Sequence, residues 1–432
     1  MITIYTIVFL ASLVITIMIG MPITYSLLLS GAATAIAIGG SATSAQTVAA
    51  QVMRGTDSVS MMALPFFILV GELMNRGGLT KRIINFCNIF VGRFRGGLGY
   101  VTIFACLMFA SLVGSAVAST AALGAILIPM MVKSGYGKET SAGLLASANL
   151  VAPIMPPSVP MIIYGVTAGV SIKGLFMGGI APAVYLTVIM CAVWFFVVRS
   201  EGIHSHAPKL TAKEIISSFL EGLPALILPL IILFGLRGGI FTATEAGVVA
   251  VVYTLITGIF IYRELKAKDI FESFISAAKM SAVVMFLAAS AQYAAYILTI
   301  SRIPQLITQS LTPLIQHPML LNFVLQIIII LMGTCVDVTP TILIMTPIML
   351  PLLKAANIDL IYFGVVFTLA NVLGLTSPPV GPVLNVACAT GNVKMDKLLP
   401  KVIPYYILQC LLVAALIFIP ELVTVPLKWF NT

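Results

Sequence analysis

The stretch Ala148-Asn149-Leu150-Val151-Ala152-Pro153-Ile154-Met155-Pro156-Pro157-Ser158-Val159-Pro160 recurs 222 residues later as Ala370-Asn371-Val372-Leu373-Gly374-Leu375-Thr376-Ser377-Pro378-Pro379-Val380-Gly381-Pro382. An asparagine, paired prolines and a third proline keep their spacing, and each copy lies inside a long apolar run. Proline lacks a backbone donor and clashes with the preceding turn, so each copy predicts a helix broken in mid-span. Helices broken at matching positions of two halves point to the binding site of a secondary transporter.

Composition agrees with a membrane setting. Of the 432 residues, 60% are hydrophobic and only 9% charged, and mean hydropathy is +1.12. A soluble domain needs more charge, so the reading is an all-α polytopic membrane protein whose first partner is the lipid bilayer. The net charge of +9 sits in short basic clusters between apolar spans, which suits topology rather than nucleic acid. No Lys or Arg precedes Arg54 and no small-residue cleavage site follows the first apolar run, so that run reads as a retained span. The six cysteines lack CxxC spacing and read as small buried hydrophobes; His204 and His206 fall in a polar linker.

Taking about 20 apolar residues per crossing, the first half contains spans near 3–20, 22–41 and 60–76. A polar stretch, about 42–58, carries Arg54 and Asp57, read as loop charges with partner docking the alternative, and an amphipathic segment covers about 77–98. Residues 99–132 are apolar but interrupted by Ser111 to Thr120, a pattern that predicts a re-entrant helical hairpin. A broken helix over about 140–167 and a full span near 176–198 complete residues 1–198 as the first repeat, followed by a cytoplasmic linker, 199–221. Residues 222–432 repeat the order. Spans fall near 223–241, 244–262 and 282–300, with an amphipathic segment about 302–317, a hairpin about 318–353, a broken helix about 359–390 and a last span about 400–424.

If both hairpins enter and leave on one side, each half crosses five times and the second half is inserted upside down. Of the 23 basic residues, Arg54, Lys173, Arg237, Arg302, Lys354 and Lys428 then share the N-terminal face, and the other 17 share the opposite face. The positive-inside rule makes that basic face cytoplasmic and both termini external. The expected architecture is thus two inverted repeats, with the first hairpin opening from inside and the second from outside.

A cation at mid-membrane must exchange its hydration shell for protein oxygens, which broken helices supply as freed carbonyls and hydroxyls. The candidates for sodium are Gly114, Ser115, Ser119, Asn149 and Ala152 in the first half. In the second they are Gly333, Thr334, Asp337, Thr339, Asn371, Gly374 and Thr376. Two matched sets suggest two sodium ions, with an anionic substrate between them at half-helix N-termini. The candidates for that substrate are Thr120, Pro157, Ser158, Thr341, Ser377 and Pro379. Glu72 and Glu245 lie near span ends and read as interfacial. The chain has no GxxxxGK[ST], HExxH or GxSxG motif, so neither ATP hydrolysis nor another enzyme activity is expected, and sodium is the only metal or cofactor foreseen.

Four stretches carry a family resemblance: ALPFFILVGELMNRGGLTKR (63–82), SLVGSAVASTAALGAILIPMM (111–131), ANLVAPIMPPS and ANVLGLTSPPVGP. In these the chain resembles the large membrane (M) subunit of tripartite ATP-independent periplasmic (TRAP) transporters, over nearly its whole length. The resemblance implies sodium-driven uptake of an organic acid across the bacterial inner membrane by an elevator mechanism, with a fold like the ion transporter superfamily. It also implies two partners, a small four-helix membrane (Q) subunit, here expected as a separate chain, and a periplasmic substrate-binding protein. Family substrates include C4-dicarboxylates and sialic acid, and the overall look is closest to the sialic acid branch. A stand-alone sodium/dicarboxylate symporter of the divalent-anion type is the alternative, although its Ser-Asn-Thr tip motif is absent.

Overall fold

The computed structural model describes residues 2–39, 42, 44–202, 212–303, 312–378 and 381–431, and among them every regular element is a helix. The first half contributes α1 (Ile2–Met18), α2 (Ile23–Ile38), α3 (Ala45–Arg54), α4 (Ala63–Arg76), α5 (Leu79–Val91), α6 (Gly97–Val113), α7 (Ala116–Lys133), α8 (Lys138–Ala148), α9 (Val159–Ala168) and α10 (Ile172–Ser200). The second contributes α11 (Ala212–Arg237), α12 (Ala243–Ile256), α13 (Ala267–Ile300), α14 (Pro318–Gly333), α15 (Val338–Ala355), α16 (Leu360–Gly374), α17 (Pro382–Gly391), α18 (Met395–Phe418) and α19 (Glu421–Asn431). Among the described residues, eight helical segments are long and apolar enough to cross a bilayer. A helix pairs its backbone groups within itself, which hydrocarbon demands.

Helix starts keep the spacing of the repeated motif. Ala116 and Val338, Lys138 and Leu360, and Ala45 and Ala267 open equivalent helices, each pair 222 residues apart. Breaks fall where the chain carries breakers. Gly114 takes a left-handed φ of +64°, which a side chain would resist, and Ser115 then caps α7 by accepting from the Ala118 N–H. The arms of this first hairpin run antiparallel, since the Thr102 hydroxyl on α6 lies 3.4 Å from the Met131 sulfur on α7. At the second break Asp337 caps α15 by accepting from the Val338 N–H at 2.8 Å. Between α8 and α9 the chain makes a short turn at Asn149–Val151, runs through Pro153, Pro156 and Pro157, and restarts at Ser158, which caps α9. At about 15 Å each, α8 and α9 span half a bilayer apiece.

The helices sort into two groups. One holds α1–α4 with α11–α13, and the other holds α6–α10 with α14–α19; α5 bridges them by packing on both α11 and α6. Within the second group the halves interlock. α7 packs on α17, and α15 packs on α9, so each hairpin's second arm rests on the broken helix of the other half. Tyr164 on α9 donates its hydroxyl to the Leu360 carbonyl at 2.9 Å, and Gln409 on α18 donates to the Ser147 carbonyl at 3.2 Å. The ion pairs Arg76–Glu272, Arg82–Glu264 and Lys401–Glu201 all join groups that the charge count puts on the basic face.

Several expectations are revised. The polar stretch 42–58 is not a plain loop: Ser44 caps α3, which packs on α13, and Gly55 sits so close that a Cβ would lie 2.6 Å from the Ala289 Cα. The span expected at 282–300 is the end of a 34-residue helix, α13, about 51 Å long. Its first turns carry Lys268, Asp269 and Glu272 and extend beyond the hydrocarbon, where hydropathy alone sees no helix. The last span ends at Phe418 and a separate α19 follows Pro420. Much of the 199–221 linker and of the amphipathic segment 302–317 lies outside the described residues.

Candidate substrate and ion site

A cavity of about 170 Å³ lies where the two helix groups meet. Gly114 and Ser115 of the first hairpin and Asp337 and Thr339 of the second line it together, although more than 200 residues separate them in the chain. Pro153, Val159 and Pro160 bring in the first broken helix; Glu72 and Asn75 of α4, with Met280 and Val284 of α13, form the opposite wall. Three helix N-termini therefore converge here, those of α7 (Ala116, Ala118), α9 (Val159, Pro160) and α15 (Val338, Thr339). Unpaired N–H groups and the helix dipole make each such end locally positive.

The two repeated asparagines are not among the residues that line this cavity. Asn149 and Asn371 are both fully buried, and neither the oxygen nor the nitrogen of either carboxamide has a hydrogen-bond partner. Leaving a buried polar group unpaired costs about 1–3 kcal/mol. The same omission at two equivalent positions is a feature that a bound ligand can relieve. The turn at Asn149 packs on both arms of the first hairpin. Asn371 meets the second hairpin at Gly333, where an added Cβ would lie 2.3 Å from the Asn371 carbonyl oxygen. Gly374 is as tight, with its Cβ position 2.4 Å from the Ile330 carbonyl, so the two glycines let α14 and α16 touch backbone to backbone.

The hydroxyl candidates share one arrangement. Ser119 and Thr120 both donate to the Ala116 carbonyl, Thr341 to Asp337, Thr376 to Leu373 and Ser377 to Gly374, at 2.7–3.2 Å. Each proton is thereby used within the chain while the oxygen keeps its lone pairs for a cation. Ser119, Thr120, Thr341, Thr376 and Ser377 are all buried. Thr334, partly exposed, donates to the Leu331 carbonyl. Ser158 donates to the Pro153 carbonyl and accepts from the Met161 N–H, so its oxygen is committed to capping α9. Ala152 and Pro157 are buried in the break, and Pro379 lies outside the described residues.

The wall that sequence reasoning missed is the one supplied by α4 and α13. Glu72 read as interfacial because it closes an apolar span, yet it lines the cavity with Asn75 one turn on. The signal was there: both residues lie within the 63–82 stretch, and that stretch contributed only to the resemblance.

The chain is 44% identical over 424 residues to the 2,3-diketo-L-gulonate TRAP transporter large permease protein of Escherichia coli, covering 98% of this chain and 99% of that one. It is 31% identical over 396 residues to the sialic acid TRAP transporter large permease protein of Vibrio cholerae, covering 91% and 92%. In fold it is similar to the Alcanivorax borkumensis YdaH transporter, with a TM-score of 0.62 over 88% of each chain at 16% identity. The model of the family described as the tripartite ATP-independent periplasmic transporter, DctM component, matches residues 10–422. A helical membrane permease with no enzyme's motifs, matched over nearly its full length, the chain belongs to that DctM family of TRAP transporter large subunits.

Proposed function

We propose that this chain couples the uptake of an organic-acid anion to sodium by sliding the hairpin group of helices past the group built from α1–α4 and α11–α13. The observation that carries the sodium reading is the pair of buried, partnerless carboxamides, Asn149 and Asn371. A sodium ion beside each would accept the carboxamide oxygen together with nearby hydroxyl and carbonyl oxygens, from Ser115, Ser119 and Ala152 in the first half and from Thr339, Gly374 and Thr376 in the second. The three helix N-termini at the cavity support an anionic substrate between the hairpin tips, where α4 and α13 would form the wall past which it moves.

The charge count supports placing the basic face in the cytoplasm and both termini in the periplasm. The partners are a periplasmic binding protein and a small membrane subunit on a separate chain. The substrate we favour is a sugar-derived carboxylate. Sialic acid fits that class, and so does the diketogulonate named for the 44% identical relative.

Uptake by the protein reconstituted with both partners should require an inward sodium gradient and fall to background when the binding protein is omitted. Asn149→Ala and Asn371→Ala should each raise the sodium concentration for half-maximal uptake about tenfold, the equivalent of roughly 1.4 kcal/mol. Sodium should raise the melting temperature of the unaltered protein, as any ligand of the folded state does, and each variant should respond less. If both variants keep the original sodium titration and melting shift, the asparagines hold no ion. In Arg54→Cys and Lys266→Cys variants, an impermeant thiol reagent should reach position 54 from the periplasm and position 266 only from the cytoplasm. Labelling from the opposite sides would invert the orientation.

A further inference from the structure

A second cavity, about 530 Å³, opens beside the turn between α5 and α6, apart from the ion and substrate site. Phe94 and Arg95 bound it on the α5 side, Tyr100 and Phe104 on α6, and Cys191 and Arg199 on α10. Both arginines are exposed, and no acidic side chain lines the cavity among the described residues. The Arg199 guanidinium lies 4.0 Å over the Phe195 ring, which holds it at the rim. Arg199 is two turns beyond Cys191 on α10, so the cavity grades from charge to apolar surface over about 12 Å.

The walls are held together. The Trp194 indole donates to the Gly96 carbonyl at 2.8 Å, and Gly99 approaches the same ring so closely that a Cβ would overlap it. This ties the α5–α6 turn onto α10 and leaves the space between them open to the lipid side, where Phe94 and Phe196 are largely exposed. The charge count puts both arginines on the basic face.

We propose that this cavity binds an anionic phospholipid, its phosphate between Arg95 and Arg199 and an acyl chain along Phe104 and Cys191. A guanidinium fork matches phosphate oxygens in pairs. Basic pockets between membrane helices recognise acidic head groups, at about 1 kcal/mol per basic residue, or roughly fivefold in affinity. The aromatic and apolar depth of the cavity adds the requirement for a chain, which free phosphate lacks.

The two tryptophans of the chain, Trp194 and Trp429, make the test direct. In Trp429→Phe protein Trp194 is the one tryptophan left to report, and it lies against the cavity wall. Phosphatidylglycerol with brominated acyl chains should quench it with an apparent affinity at least roughly fivefold above that of brominated phosphatidylcholine. The preference should disappear in Arg95→Gln/Arg199→Gln, persist in the Arg95→Lys/Arg199→Lys pair, and persist in Arg93→Gln, which alters a neighbouring arginine outside the cavity. Matching melting temperatures for the Gln and Lys pairs would separate lost binding from lost folding. Equal quenching by the two lipids, reversal by inorganic phosphate, or a preference that survives in the Gln pair would overturn the proposal.

Discussion

Ser115 caps α7 in the first half, and Asp337, 222 residues on, caps α15 in the second. Behind them Ser119 faces the equivalent Thr341, Asn149 the equivalent Asn371, and Ala152 the equivalent Gly374. The backbone has been kept, with helix starts in register and both asparagines buried without partners. The tips have diverged. One is neutral, the other carries a carboxylate, and only the second presses glycine against glycine behind the tip. Conserved register with altered tip chemistry suggests two half-sites that share a scaffold and differ in load.

The packing difference offers the largest effect. A methyl group at Gly333 would meet the Asn371 carbonyl at 2.3 Å, a backbone atom that no rotamer change can move. Overpacking of this kind typically costs about 1–3 kcal/mol. Gly333→Ala should therefore lower the melting temperature clearly and abolish uptake, because α14 must leave the backbone that carries Asn371. At Gly114 the nearest atom to an added Cβ is the Val159 nitrogen at 3.0 Å, and the main penalty is the left-handed backbone, about 1 kcal/mol. Gly114→Ala should be the milder change by both thermal unfolding and transport. Equal effects would mean that the two hairpins are seated equally tightly.

Next comes the carboxylate. Asp337→Asn keeps an oxygen that can accept from the Val338 N–H and removes the charge. If the second tip uses that charge, uptake should fall about tenfold or more while the melting temperature stays within a degree or two. Ser115→Ala removes a cap and no charge, so it should cost about 1 kcal/mol of stability with a smaller loss of uptake. A stable, active Asp337→Asn protein would reduce both tips to helix caps.

The same contrast shows how much of the molecule was readable beforehand. The hairpins and broken helices announced themselves because glycine, proline and Asp337 interrupt apolar runs, and repetition turned each ambiguous asparagine into half of a pair. The α4 and α13 wall was not readable. Glu72 at the end of an apolar span looks the same whether it faces lipid head groups or a cavity, and only the packing of α4 against the hairpin group distinguishes the two. The early start of α13 was hidden for a related reason. Lys268 and Glu272 mark the end of a hydrophobic span, and a helix can continue past it into water. The backbone-to-backbone contact of Gly333 with Asn371 could not be foreseen from spacing.

The smallest effects should come from Ser119 and Thr341, and they separate chemistry from packing most cleanly. Each hydroxyl donates to a carbonyl of its own helix, at Ala116 and Asp337, and each of those carbonyls sits where the helix's own i+4 N–H can serve it. Ser119→Ala and Thr341→Val keep the side-chain volume nearly unchanged, so they remove an oxygen without leaving an unpaired donor behind. Because the carbonyl left behind keeps its own helical partner, each change forfeits only the net worth of one hydrogen bond, about 1 kcal/mol of stability. Transport is where the variants should part from the parent. If the free lone pairs of these oxygens serve an ion or substrate, half-maximal uptake should shift several-fold in sodium for Ser119→Ala and in organic acid for Thr341→Val. If both shift in sodium alone, Thr341 belongs with the ion ligands, and the half-sites are more alike than their tips suggest. Two variants that neither melt nor transport differently would show that the hydroxyls only close their own helices.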